Sequence, residues 1–304
     1  MTAGQDELAV AFQAARPRLV RVAYAILGAR GDAEDVVADC WLRLVAHHGQ
    51  EPIRDVEAWS VVTVSRMALD VLRSARVRRE QYVGPWLPEP VVTAAVTTEA
   101  ATWVAADPAD RITLDDEVSY ALLVVLETLT PAERTAFVLH DLFGLPFTEV
   151  ADVVGRTPTS VRQLASRARR HIRDRAGRPP VDPAEHRRVV DAFAAAVQSG
   201  DLATLVSVLD PDAVLVSDGG GVVRAARRPV QGADKVARFL LRTIAKAEPS
   251  SHVELVRVNG SAGFAAFESG RIVSVVALTV ADGRVARLDL VRAPDKLRAS
   301  PADL

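Results

Sequence analysis

Cysteine is all but missing from this chain: Cys40 is the single thiol in 304 residues. One thiol forms no internal disulfide and no cysteine-built zinc site, so a reducing, cytoplasmic setting is the expectation. Lysine is scarce too, with 3 residues against 34 arginines. The basic chemistry is therefore that of the planar guanidinium fork, which suits phosphate and guanine. No stretch of about 18 consecutive apolar residues occurs, so no transmembrane helix is expected. The opening MTAGQDELAVAF lacks a basic segment followed by an apolar run, so no secretory signal is expected either. What is present is ordinary for a globular protein: 49% hydrophobic and 25% charged residues. Disorder along the whole chain and a fibrous chain are thereby excluded, and the length suits roughly two domains of about 150 residues each.

The net charge of −2 favours no partner until it is divided along the chain. Residues 156–178 carry eight Arg against Asp174, a local +7, and residues 66–80 carry five Arg against Asp70 and Glu80, a local +3. Between them, residues 84–117 carry Arg111 against seven acids, a local −6. A solvated face is the plain reading of one basic run. Two such runs, each ending an expected helix, point to a polyanion.

Apolar spacing predicts helices over 8–27, 32–48 and 56–79. Leu19, Val22, Ala23, Ile26 and Leu27 make the first row, and Gly28–Gly31 breaks it, with Asp32 expected as the next N-cap. Ala33, Val36, Val37, Cys40, Trp41 and Leu44 make the second row, where Cys40 reads as a buried, inert thiol. The third helix is expected to bury Ala58, Val61, Val62, Ser65, Leu69 and Leu72. Residues 81–117 lose the period, and their prolines mark a partly extended linker. Helices resume with 118–129, and Thr130-Pro131-Ala-Glu133 carries a capping box for the next, which ends at Gly144. A short helix over 145–154, the turn Gly155-Arg-Thr157-Pro158 and a final helix to about Arg175 form a helix–turn–helix. After a linker at 178–184 the character changes: a helix over 185–199, a short helix to Leu209, and a helix over 232–247. Strands are expected at 213–217, 222–226, 252–258, 263–268, 271–278 and 285–291. That order predicts an α+β domain with a curved sheet.

The final helix of the helix–turn–helix carries the sharpest chemistry. Behind its cap Thr157 it presents Thr159, Ser160, Arg162, Gln163, Ser166, Arg167 and Arg170, while Val161, Leu164, Ala165 and Ala168 face inward. Arg forks onto guanine, Gln onto adenine, and short hydroxyls reach phosphates or bases, which is what the DNA major groove requires. An ordinary helical corner with a basic face is the alternative.

With those residues in hand, the sequence resembles the extracytoplasmic-function sigma factors over roughly residues 8–176. The resemblance rests on Asp32-Ala-Glu-Asp-Val-Val-Ala-Asp-Cys-Trp-Leu-Arg-Leu44, on Ala58-Trp-Ser and Arg66-Met-Ala-Leu-Asp70-Val-Leu-Arg73, and on the helix–turn–helix that follows. Met67 stands where the family usually has Asn, and Ala38 where Gln is common. The resemblance implies sigma region 2 at 1–82, a linker at 83–116 and region 4 at 117–177, both regions all-α. It implies that Glu34, Asp35, Asp39 and Trp41 meet core RNA polymerase, although a solvated acidic helix face is the alternative and Trp41 also suits core packing. It implies that the loop Ala46–Val56 and the helix behind it read and melt the −10 element, with Trp59, Arg66, Arg73, Arg76, Arg78 and Arg79 as candidates. Asp70, spaced i+4 from Arg66 and i−3 from Arg73, reads instead as part of a salt-bridge row. The helix–turn–helix would then take the −35 element.

Residues 185–300 resemble the SnoaL-like fold, a cone-shaped α+β sheet. The match rests on Gly200-Asp201-Leu202, Asp210-Pro-Asp-Ala-Val-Leu, Asp218-Gly-Gly-Gly221 and Pro229-Val-Gln-Gly232. With Trp86-Leu87-Pro88-Glu89-Pro90 in the linker and Pro294-Asp295-Lys296-Leu297 near the end, the chain is similar to the sigma group that carries this domain fused to region 4. Ala293 stands where that group has Asn. The resemblance implies that Trp86–Pro90, Asp218, Gly219, Gly220, Gly221, Asp295 and Lys296 form a regulatory contact in cis, so that no separate anti-sigma factor is required. A hairpin with a flexible tip is the alternative reading of the glycines.

Core polymerase and promoter DNA are thus the expected partners, with no metal, cofactor, membrane or catalytic residue expected. A helix–turn–helix regulator that works without polymerase is the alternative function. The C-terminal domain could instead hold a small-molecule ligand or act as a cyclase or isomerase, with Asp289 and His252 the titratable candidates.

Overall fold

The computed structural model describes residues 3–79, 82–94, 118–176 and 181–297. These divide into two compact units, one drawn from Met1–Glu80 with Val125–Gly177, the other from Gln81–Val124 with Arg178–Leu304.

In the first unit, α1 (Ala3–Leu27), α2 (Arg30–His48) and α3 (Val56–Arg79) form a small bundle. The expected apolar rows fill it: Leu19, Val22, Ile26, Val37, Cys40, Leu44 and Leu69 are buried. Gly28 takes φ 71°, a left-handed conformation that glycine adopts without strain, and stops α1. The chain then re-enters helix sooner than expected. Ala29, not Asp32, occupies the cap position of α2 and supplies no side-chain bond, while Asp32 complements the positive helix end from inside the first turn. Ala58 is exposed, contrary to expectation, because α3 packs through Val61, Val64, Met67, Ala68 and Leu72.

The same unit holds α5 (Pro131–Phe137), α6 (Phe147–Val154) and α7 (Pro158–Ala176). The capping box of α5 is complete: the Glu133 amide donates to Thr130 Oγ1, and the Thr130 amide donates back to the Glu133 carboxylate. Beyond Phe137 the helix widens into a π-turn, Val138–Leu142, which the apolar spacing did not signal. Gly155 at φ 71° ends α6, and Thr157 Oγ1 accepts from the Ser160 amide at the start of α7. A buried arginine on α5 joins it to the bundle. Arg134, 2% exposed, pairs with Glu127 and donates to the Ala25 carbonyl near the end of α1.

In the second unit, helices α8 (Pro183–Ser199), α9 (Leu202–Val208) and α10 (Ala233–Ile244) pack on one face of a sheet. Its strands are β1 (Val92–Ala94), β2 (Leu209–Asp218), β3 (Val230–Gln231), β4 (His252–Val258), β5 (Ser261–Glu268), β6 (Arg271–Ala281) and β7 (Arg284–Val291). Among the described residues their order is β1-β4-β5-β6-β7-β2-β3, with β2 parallel to β7 and the other pairs antiparallel. Asn259-Gly260, Ser269-Gly270 and Asp282-Gly283 all have positive φ, the two-residue turns whose twist matches that of paired strands. Residues 222–226 form no strand, and Val222 is 81% exposed.

Two sets of side chains alternate across this sheet. Leu215, Leu278, Val280 and Leu288 meet the helices. Val216, Val256, Val258, Phe267, Val275, Ala277 and Val291 face the other way, where Leu87, Val92 and Tyr120 cover them. The segment expected as a linker is therefore partly built into this unit. Val92 pairs with Val258, so β1 satisfies the otherwise open edge of β4, and burying Leu87 and Val91 removes apolar surface from water. The acids at 95–117 lie outside the described residues. Helix α4 (Tyr120–Leu126) is shorter than the expected 118–129 and follows Ser119, whose hydroxyl accepts from the Leu122 amide.

Candidate nucleic-acid interface

The reading face expected on α7 is largely open. Thr159, Arg162, Gln163, Ser166, Arg167 and Arg170 are exposed, while Val161, Leu164, Ala165 and Ala168 are buried against the motif. Not all are equally available. Thr157 is occupied as a cap and Ser160 is half-buried. Arg167 Nε donates to Glu133 at 2.9 Å, which ties its guanidinium to the scaffold. Burial works against the Glu133 charge, yet the bonds from Arg167 and Thr130 hold its carboxyl below the usual range.

Between α2 and α3 lies a cleft of about 410 Å³ lined by Arg43, Ala46, His47, Gln50, Trp59, Thr63 and Arg66. Trp59 stacks on His47 with ring centres 5.6 Å apart. An aromatic floor with guanidinium walls suits an unpaired base and its phosphates. The sequence named Trp59 and Arg66, and the loop Ala46–Val56 that holds His47, but missed Arg43 and Thr63. Arg66 is engaged elsewhere: Nε and Nη2 donate to the Asp152 carbonyl at 3.3 and 3.2 Å, at the end of α6. Asp70 pairs with Arg73 at 3.2 Å, so of the expected salt-bridge row only the Arg73 half forms. The side chains of Arg76, Arg78 and Arg79 lie outside the described residues.

On the outer face of α2, Asp35 and Asp39 are exposed and Glu34 is half-buried, paired with Arg30 at 3.1 Å. Trp41 does not stand with them. Its half-buried ring packs 5.2 Å from Phe12, because its turn of the helix faces α1. The exposed apolar residue beside the acids is Leu42, 65% exposed. Behind them Cys40 is buried, and burial pushes its thiol up to about 11, the environment of an inert thiol.

The regulatory candidates of the second unit converge on one buried carboxylate. Asp218, 0% exposed, accepts from the Lys296 ammonium (2.6 Å), the Leu87 amide (2.9 Å), the Tyr82 hydroxyl (2.6 Å) and the Gly220 amide (2.9 Å). Lys296 also donates to the Leu87 carbonyl at 2.6 Å, and its Nζ sits 3.9 Å from the Trp86 ring centre. Burial, then the hydrogen bond to Asp218, pushes the Tyr82 phenol well above its ordinary range, so it remains a donor. Pro88, Glu89 and Pro90 are buried alongside, with the Pro88 carbonyl accepting from Tyr120 Oη at 2.9 Å, while Asp295 stays exposed. Asn259 clamps the next stretch: its amide donates to the Val91 carbonyl, and its side-chain oxygen accepts from the Val91 amide. Gly219 is required by a close approach, since a methyl there would lie 2.2 Å from the Val223 carbonyl oxygen, and Gly220 and Gly221 have φ near +70°. Tyr82 and Asn259 were missed by sequence reasoning.

Asp289 and His252 do not form a dyad. Burial raises the Asp289 carboxyl while Arg287, donating at 2.7–3.0 Å, opposes that rise. His252 is exposed, 3.0 Å from Glu254, on β4, which β5 and β6 separate from β7. No described helix is long and apolar enough to cross a membrane.

Three family models match the chain: Sigma-70 region 2 over residues 11–78, Sigma-70 region 4 over 119–172, and the SnoaL-like domain over 190–292. The chain is 42% identical over 303 residues to the ECF RNA polymerase sigma factor SigJ of Mycobacterium tuberculosis, covering 95% of this chain and 93% of that one. It is 38% identical to the probable ECF RNA polymerase sigma factor SigI of the same organism, covering 98% of each. The crystal structure of Mycobacterium tuberculosis SigJ superposes with a TM-score of 0.75, covering 95% of this chain and 98% of that one at 38% identity.

Proposed function

The chain belongs to the extracytoplasmic-function RNA polymerase sigma factors that carry a C-terminal SnoaL-like domain, and from that premise we propose how its residues divide the work of initiation. As a sigma factor it binds core RNA polymerase and directs promoter-specific initiation, acting with the polymerase in the cytoplasm. Asp35 and Asp39, with Glu34 at their edge and Leu42 between the turns, form the polymerase-facing strip of α2. The His47–Trp59 cleft takes an unpaired −10 base, with Arg66 and Arg73 near its phosphates. The exposed edge of α7 reads the −35 element through Thr159, Arg162, Gln163, Ser166 and Arg170.

The observation that carries the reading is the separation of faces on α7: four small or branched residues point inward, while Thr159, Arg162, Gln163, Ser166 and Arg170 stand in solvent. Transcription from a promoter of this chain with core polymerase tests it. Gln163→Ala is expected to weaken discrimination at one −35 base by about 1–3 kcal/mol. Equal loss on every DNA sequence would make Gln163 a backbone contact instead.

The C-terminal unit is the regulator in cis, holding residues 82–94 through Asp218 and Lys296, so a separate anti-sigma factor is not needed. Its reading as a catalyst finds no support in Asp289, which Arg287 locks on the face away from the helices. On the helix side, Phe193, Leu205, Val236 and Leu288 pack into the domain's core.

A further inference from the structure

The recognition helix holds its arginines in two different ways. Arg167 and Arg169 are each answered by a carboxylate, Glu133 at 2.9 Å and Asp141 at 2.6 Å. Arg162, closer to the helix start, has no ion-pair partner among the described residues. Its guanidinium carbon lies 5.2 Å from the centre of the Phe147 ring.

Phe147 opens α6, yet the packing of that helix falls to Val150, Ala151, Val153 and Val154. Phe147 stays half-buried at the rim, stacked on His140 with ring centres 3.7 Å apart and planes 28° apart. His140 is itself fixed. A carbonyl only accepts, so His140 Nδ1–H donates to the Leu145 carbonyl, 2.8 Å away. It sits in the π-turn Val138–Leu142, closed by the bond from the Phe143 amide to the Val138 carbonyl. Such turns are rare and recur at functional positions.

The two kinds of support have different consequences. A carboxylate cancels the guanidinium charge and occupies its N–H groups. A ring face attracts the cation through its quadrupole, limits the planes the group explores, and leaves the donors and the charge intact.

We propose that Phe147 and His140 are positioning residues for Arg162, the stacked rings holding its guanidinium for a bidentate contact to a guanine edge in the −35 element. The proposal rests on α7 reading that element. It divides the helix: Arg162 reads a base, and Arg167 braces the motif.

The full chain bound to core RNA polymerase is used to select DNA from a library randomised across the −35 region, and base frequencies are counted at each position. Arg162→Ala is expected to abolish a guanine preference at one base pair. Phe147→Leu keeps an apolar side chain without a ring face. It is expected to lower that same preference about two- to fivefold and leave other positions unchanged. Phe147→Tyr is expected to retain the preference, and Phe147→Leu added to Arg162→Ala to change nothing further. His140→Ala is expected to give a smaller loss at the same position, and it decides the matter if the leucine variant does not fold. The platform is overturned if Phe147→Leu or His140→Ala leaves the guanine preference intact or weakens all sequences equally. If Arg162→Ala itself alters no base preference, the −35 assignment of Arg162 fails, and the platform fails with it.

Discussion

Asp218 concentrates the second unit's polar chemistry on one buried side chain. Four donors surround a carboxylate that has no access to water. Lys296→Met keeps the chain length but leaves that charge without its cation. It is expected to cost about 3–5 kcal/mol in denaturant unfolding of the second unit. Tyr82→Phe removes a single hydrogen bond, and a loss of about 1 kcal/mol is expected. In the first unit, Glu133 has its pKa held down in the folded state, so the stability it contributes is complete above the unfolded carboxylate range. That stability is lost as pH falls through the folded value. The melting temperature of wild type is therefore expected to fall more steeply on acidification than that of Glu133→Gln; parallel curves would remove the assignment. Asp218, the glycines and Lys296 were legible as a group through the resemblance to the sigma factors that carry a fused SnoaL-like domain. Tyr82 was not, because its partner lies 136 residues away and no local pattern points to it.

Elements were legible where their signals are local. The capping box, the turn at Gly155 and the Thr157 cap all act within four residues, and all three form as read. The π-turn was not, because it keeps the apolar spacing of an ordinary helix while inserting one extra residue. Nor was the contact between α3 and α6, which joins an arginine read as a DNA ligand to a main-chain carbonyl. Because that acceptor is backbone, Asp152→Ala leaves the bond in place and Arg66→Met removes it. Amide exchange in the last turn of α6 is expected to quicken about fivefold in Arg66→Met and to stay unchanged in Asp152→Ala, the equivalent of about 1 kcal/mol. Equal exchange in the two variants would show that Arg66 does not hold α6. The same bond means that one guanidinium serves the cleft of α2 and α3 or the end of α6, and the two uses compete.

At the scale of the molecule, the order of all-α regions followed by a mixed sheet was legible from the change in period after residue 184. The fate of the linker was not. Prolines and lost periodicity describe a chain without its own secondary structure, but not one that borrows an edge from a sheet more than 150 residues downstream. Truncation after about residue 180 therefore removes more than a regulator. It uncovers Leu87, Val91 and Val92, now buried at 2–6% exposure. Such a chain is expected to retain polymerase binding, to change promoter output, and to bind a hydrophobic dye more than the full chain does. Unchanged transcription and dye binding would mean that the docked segment has no bearing on initiation.

β1 pairs with β4 at one edge of the sheet, and the segment around it buries Leu87, Val91 and Val92. Residues 82–94 lie on the only covalent path between α3 and α4. While they are docked, that path loses their reach; once freed, they add up to about 45 Å of extended chain. At roughly 3.4 Å per base pair, this is on the order of a dozen steps along a duplex. Docking of residues 82–94 would thus limit how far apart the two proposed footprints on one promoter can fall.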